Sequence, residues 1–138
     1  MGSVLEQAEV SRVWREGDVV VIDHGSRQSI GREDVLRLVQ QRRALGGGRQ
    51  CVLVRSAGKA IRIQPDALAA TLEPAVVDVT EAVAYVITNP MMRWSFNWYQ
   101  RCRKPPYPVA AFGAEPEARA WLSTVRLLAR LSASQKAS

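Results

Sequence analysis

Long apolar runs are missing from this chain of 138 residues, and no stretch nears the roughly 20 residues that a membrane-spanning helix needs. The first residues, Met1 to Glu9, lack the basic start and apolar stretch of a signal peptide, so a cytoplasmic location without transmembrane association is expected. Histidine is almost absent: His24 stands alone, with no cysteine or second histidine to share a metal site, and it reads as a loop-edge residue. The two cysteines, Cys51 in an apolar run and Cys102 in a helical pattern, argue against a disulfide scaffold, and two free thiols are expected. Acidic residues are scarce in one region. Asn89 to Ser138 holds two Asp and Glu against eight Lys and Arg, whereas the first 88 residues hold 11 of each, so the net charge of +6 lies in the last third. Such a surface suits an acidic partner, an anionic membrane face or nucleic acid, although solvated arginine faces explain it more simply.

A reaction signature is missing too. Ser56-Ala57-Gly58 is not a nucleophile elbow, Gly46-Gly47-Gly48 is a turn rather than a phosphate cradle, and His24 has no nucleophile beside it. The expectation is a protein that is not an enzyme and that carries no cofactor. Nucleic-acid binding is not expected either, because Arg119, Arg126 and Arg130 form one helical stripe and the aromatics alternate with apolar positions instead of forming stacking platforms.

What remains is an ordinary globular composition, 47% hydrophobic and 23% charged, in a length that suits one domain. Residues 1–9 read as an extension, 10–131 as the domain and 132–138 as a flexible tail. Val10 to Trp14 and Val19 to Asp23 are β-branched runs around the turn Arg15-Glu16-Gly17-Asp18, which predicts a hairpin. Val35, Leu38, Val39 and Leu45 recur at helical spacing, and the glycine run ends that helix. Cys51 to Val54 is apolar throughout, as in a central strand covered on both faces. Gln64-Pro65-Asp66 opens a weaker helix that carries Leu68, Leu72 and Val76 toward the core. Val83 to Ile87 is the next strand. Asn89 then caps a helix that Lys104-Pro105-Pro106 stops. Val109 to Phe112 is the last strand, and the final helix places Ala118, Trp121, Leu122, Val125, Leu128 and Ala129 on one arc. The order ββαβαβαβα predicts an α/β domain with a mixed sheet: an antiparallel opening hairpin, then three strand-helix units.

The pattern Asn89-Pro90, Arg93, Asn97, Tyr99, Arg101, Lys104-Pro105-Pro106-Tyr107-Pro108, with Phe112, Ala118, Trp121 and Leu122 beyond it, resembles the STAS-like small bacterial domains with a SpoIIAA-like fold, also labelled STAS/SEC14-like. The likeness is strongest in the C-terminal half and extends over Val10 to Leu131 through element order and hydrophobic spacing. It implies an α/β domain without catalytic apparatus that acts in regulation by docking. Signalling members look like phospho-switched modules, with a modified serine at a helix start after the central strand. In the matching turn, Arg55 to Asp66, no hydroxyl stands near 62–65, and Ser56 at the strand end is a weak substitute, so no phospho-switch is expected.

The segment Asn89 to Pro108 carries the candidate site. Met91, Trp94, Trp98 and Cys102 form one apolar stripe and Met92, Phe96 and Tyr99 a second, together spanning about 200° where roughly 100° suffices for a helix on one sheet. The first stripe is expected to pack on the sheet. The second is either covered by the proline segment around Tyr107 or exposed as a docking or dimerisation patch, with Arg93, Asn97 and Lys104 as a basic, amide-bearing edge able to hold a phosphate or carboxylate. The expected partner is another protein or a second copy. The alternative is a domain that binds an apolar or anionic small molecule in a cavity lined by Met91, Trp94 and Trp98.

Overall fold

The computed structural model describes residues 11–56 and 62–137, the side chains at 136 and 137 excepted. Strands β1 (Arg12–Glu16) and β2 (Val19–Asp23) form the expected hairpin, joined by the two residues Gly17 and Asp18. A two-residue strand β3 (Ser29–Ile30) precedes helix α1 (Arg32–Ala44). Strand β4 (Gln50–Arg55) follows, with β5 (Arg62–Ile63), α2 (Pro65–Ala70) and α3 (Pro74–Val77) after it. Strand β6 (Thr80–Val86), helix α4 (Pro90–Arg103), strand β7 (Val109–Phe112) and helix α5 (Glu115–Ala137) complete the order.

Five strands make one mixed sheet in the order β1-β2-β4-β6-β7, antiparallel between β1 and β2 and parallel elsewhere. The apolar run Cys51 to Val54 is buried in β4 at its centre, as its lack of alternation predicts. Successive side chains leave a strand on opposite faces, and the core divides accordingly. Val20, Ile22, Val52, Val54 and Val83 pack with Leu38 and Tyr107 on one face. Val21, Cys51, Leu53, Ala82 and Ala84 pack with Ala118 and Leu122 of α5 on the other. Alanine at 82, 84 and 118, each at 0% exposure, lets α5 approach the sheet closely. The buried Leu53 and Leu122 side chains each contribute on the order of 2 kcal/mol by transfer from water.

Three expectations are corrected. The helix expected from Gln64 to Val76 is two short helices, because Pro74 has no N–H and Glu73 before it is extended (ψ 145°), so Leu72 is exposed rather than directed to the core. Leu128, expected on the inward arc of the final helix, is 59% exposed in α5, which runs from Glu115 to Ala137. The parallel ribbon of β3 and β5 was not foreseen, since two-residue strands have no readable period. The glycine run behaves as expected: Gly46, Gly47 and Gly48 all have left-handed φ (73°, 89° and 74°), a conformation that costs other residues a Cβ clash.

Candidate docking face and interior cavity

Helix α4 begins where Asn89 Oδ1 accepts a hydrogen bond from the Met92 amide (3.1 Å), with Pro90 in the first turn where no N–H is needed. It ends at Lys104, which adopts left-handed geometry (φ 49°) and donates its N–H to Gln100 O (3.0 Å) immediately before Pro105.

Its orientation reverses the expectation. Strand β7 is a sheet edge, and its outward N–H and C=O groups need partners. Val83 and Ile87 donate to Pro108 O and Phe112 O on the inner side. On the outer side, Asn97 Nδ2 donates to Ala111 O (3.2 Å) while the Ala111 amide donates to Asn97 Oδ1 (2.8 Å), so one side-chain amide takes the place of a neighbouring strand. Arg93 Nη1 donates to Ile87 O (3.1 Å) over Gly113, where a Cβ would lie 2.6 Å from that nitrogen. Gln100 is buried, and Arg103 Nη1 donates to Leu68 O (3.2 Å) while its guanidinium lies 5.7 Å from the Tyr99 ring. The polar side of α4 thus faces the protein.

The residues expected on the sheet are outside. Met91 is 72% exposed, Trp94 65% and Trp98 58%, and Cys102 is exposed beside them. In the second stripe Met92 and Tyr99 are only marginally exposed, and Phe96 is half-buried with its ring 4.7 Å from that of Tyr85. Arg93 and Asn97 are committed to backbone, so they do not form a free anion-binding edge. Tyr107 is buried and donates its hydroxyl to Thr71 O (3.1 Å), which removes it from any docking surface. Arg101 and Lys104 remain exposed at the C-terminal end of α4, and no Asp or Glu occurs from Asn89 to Ala114. Ser56 is half-buried just after β4, and residues 57–61 of the turn that was to hold a phosphorylated serine lie outside the described residues.

Two arginines of α5, Arg119 and Arg126, are engaged with the opening hairpin, while Arg130 is exposed. Arg119 bonds Glu115 (3.0 Å) and approaches Glu16 (3.4 Å), and Arg126 donates to Asp18 O (3.0 Å). Arg55 and Arg119 hold the Glu115 carboxyl below the usual carboxylate range. Arg119 and Arg126 are therefore committed to contacts within the fold, unlike Arg101 and Lys104 at the end of α4.

On the sheet face opposite α5, under α1 and α2, lies a cavity of about 80 Å³. Mostly apolar side chains line it, including Leu38, Val52 and Leu68, together with His24, Arg42, Tyr85 and Tyr107. It does not touch Met91, Trp94 or Trp98, the residues expected to line one. His24, expected at a loop edge, is buried and shares a 2.8 Å hydrogen bond between Nδ1 and Ser11 Oγ, and burial pushes its pKa down to about 4. Arg42 is 5% exposed: Nε donates to Gln50 Oε1 (3.0 Å), and Nη2 to Val79 O (3.1 Å) and Thr80 Oγ1 (2.8 Å). Both had a signal in the sequence. His24 continues the alternation Val20, Ile22, and Arg42 falls four residues after Leu38 and three after Val39, on the apolar arc of α1.

An α/β domain of this strand order, with a mixed sheet and alternating strand-helix units, has a SpoIIAA-like fold. A solved structure with that fold, an uncharacterized protein of the DUF3478 family from Shewanella loihica PV-4, matches 81% of this chain and 91% of its own with a TM-score of 0.53 at 15% identity, a likeness of fold alone. By sequence, residues 13–126 match DUF7793, a domain of unknown function, and the chain belongs to that family. No curated protein matches it. Among the described residues no helix is long and apolar enough to cross a membrane.

Proposed function

We propose that this is a non-catalytic regulatory domain that acts by docking an acidic segment of another protein, through that segment's apolar face, on the outer side of α4. The observation that carries this is the exposure of Met91, Trp94 and Trp98 at 58–72% along one helix face, spaced i, i+3 and i+7. Tryptophan, methionine and arginine are the residues that interface cores favour, and a tryptophan can bury some 200 Å² when covered. Charge selects the occupant. With Arg101 and Lys104 beside the stripe and no carboxylate from Asn89 to Ala114, a second copy presents like charge to like, whereas an acidic partner presents its complement.

The test uses synthetic amphipathic helical peptides that share one apolar face and carry acidic, neutral or basic flanks, with intrinsic tryptophan emission as the readout. Saturable blue-shifted emission with the acidic peptide, weakened by salt and lost in Trp94→Ala/Trp98→Ala, supports the reading. Equal response to all three peptides overturns it. So does concentration-dependent dimerisation without peptide, or a blue shift given by anionic phospholipid vesicles and not by the acidic peptide; these outcomes point to a second copy or a membrane surface instead.

A further inference from the structure

We infer that the cavity beneath α1 and α2 is a binding site for a short-chain carboxylate, whose negative charge neutralises Arg42 and whose alkyl body fills the apolar remainder. This is independent of the docking face on α4.

Arg42 carries the inference. A guanidinium has five N–H donors and a permanent charge. In Arg42 three of those donors meet neutral acceptors, the Gln50 amide, the Val79 carbonyl and the Thr80 hydroxyl. Among the described residues Nη1 has no acceptor and no carboxylate pairs with the side chain. Dipoles of this kind satisfy hydrogen bonds but cancel no charge, and a buried cation without a counter-ion costs several kcal/mol. The surroundings register that cost: burial pulls the Arg42 pKa down to about 10.

The rest of the wall fits the same ligand. Leu38, Val52 and Leu68 supply apolar surface for a hydrocarbon body. The Tyr85 hydroxyl has no hydrogen-bond partner among the described residues, and burial pushes its pKa up to about 12, so it remains a neutral O–H donor at physiological pH. Tyr107 uses its own proton on Thr71 O. One buried cation, one spare hydroxyl and an apolar body describe the few convergent polar groups of a small-molecule site. Size sets the class. The cavity of about 80 Å³ is about half the roughly 150 Å³ in which benzene binds an engineered protein interior, which admits an acid of about three to five carbons.

The experiment is an NMR titration of the amide spectrum at pH 7 with butanoate, its neutral isostere butanamide, and octanoate. Butanoate is expected to give saturable shifts at Leu38, Val52 and Thr71 in the millimolar range, with butanamide weaker by roughly tenfold or more, since a hydrogen bond to a charged group contributes about 1.5–3 kcal/mol. Octanoate is expected to give no saturable shifts there. Leu68→Trp, which occupies the space and leaves Arg42 in place, is expected to abolish binding, and Arg42→Gln to abolish the preference for the acid over the amide. Equal affinity for butanoate and butanamide overturns the inference, as does the absence of saturable shifts, butanoate binding retained by Leu68→Trp, or saturable octanoate shifts at the cavity residues. The acid-to-amide comparison in the unmodified protein decides the matter even if Arg42→Gln does not fold.

Discussion

Helices α4 and α5 both pack against the same sheet, yet they turn opposite kinds of residue toward it. Helix α5 lies across a sheet face whose central strand side chains are apolar, and it buries Ala118 and Leu122 while Trp121 packs its ring 5.5 Å from that of Phe112. Helix α4 lies against the edge strand β7, where the exposed chemistry is backbone, and it presents Asn97, Arg93 and Gln100 inward. The difference teaches that an amphipathic helix buries whichever side complements its contact, and a sheet edge calls for hydrogen-bonding groups. The apolar side of α4 is left in solvent as a consequence of satisfying β7.

The largest test of this contrast is Leu122→Ala, which removes a side chain 1% exposed between α5 and the sheet. It is expected to cost about 3–5 kcal/mol in urea unfolding, the range for a cavity that cannot collapse. A loss under about 1 kcal/mol would show that α5 is not held by this contact.

Next is acid sensitivity, which belongs to the sheet face opposite α5, where His24 is buried under α1 and α2. His24 is held to about 4 in the folded chain, chiefly by burial and then by the charge of Arg27, with Asp23 and Asp34 opposing, against an ordinary 6.5. Between those values the unfolded chain binds a proton that the folded chain refuses. Its stabilising contribution is therefore complete above pH 6.5, falls as pH drops through the window and levels off below 4, a loss of roughly 3 kcal/mol. Urea midpoints from pH 7 to 4 measure it, and His24→Gln should flatten the slope. An unchanged slope in that variant would place the acid sensitivity elsewhere.

A smaller effect, about 2 kcal/mol, is expected for Asn97→Leu, which strands the N–H and C=O of Ala111 at the edge. Hydrogen exchange should show the Ala111 amide losing protection while Leu53 keeps its own. If both lose protection equally, Asn97 supports the whole fold and not the edge in particular.

The smallest effect belongs to the outer stripe. Trp94→Ala/Trp98→Ala is expected to change stability by no more than about 0.5 kcal/mol per site, because side chains 65% and 58% exposed bury little. A thermal scan checks this. A large loss of stability would mean that the tryptophans hold the fold together, and the contrast between α4 and α5 would collapse.

Much of the architecture was legible in the residues. Val19 to Asp23, Cys51 to Val54 and Val109 to Phe112 are strands because β-branched and apolar runs bounded by turns permit little else, and Asn89 and Pro105 mark the ends of α4 through local backbone chemistry. The candidate segment was legible as well, but its exposed side was not. A helical wheel reports which residues share a face and is silent on whether that face meets a sheet surface, a sheet edge or water. His24 and Arg42 show the same limit from the other direction: their spacing placed them on inward faces, and their polarity argued for the surface.

Local sequence determined where the strands and helices begin and end and the segregation of positive charge to the last third, since capping, proline geometry and composition act within a few residues. Tertiary structure alone decided that Asn97 would complete the edge of β7 and that Trp94 and Trp98 would face outward. It alone enclosed Arg42 beside a cavity that no carboxylate lines among the described residues. Those outcomes depend on which groups from distant parts of the chain meet, and unsatisfied backbone at a sheet edge outweighs the apolar preference of a single helix.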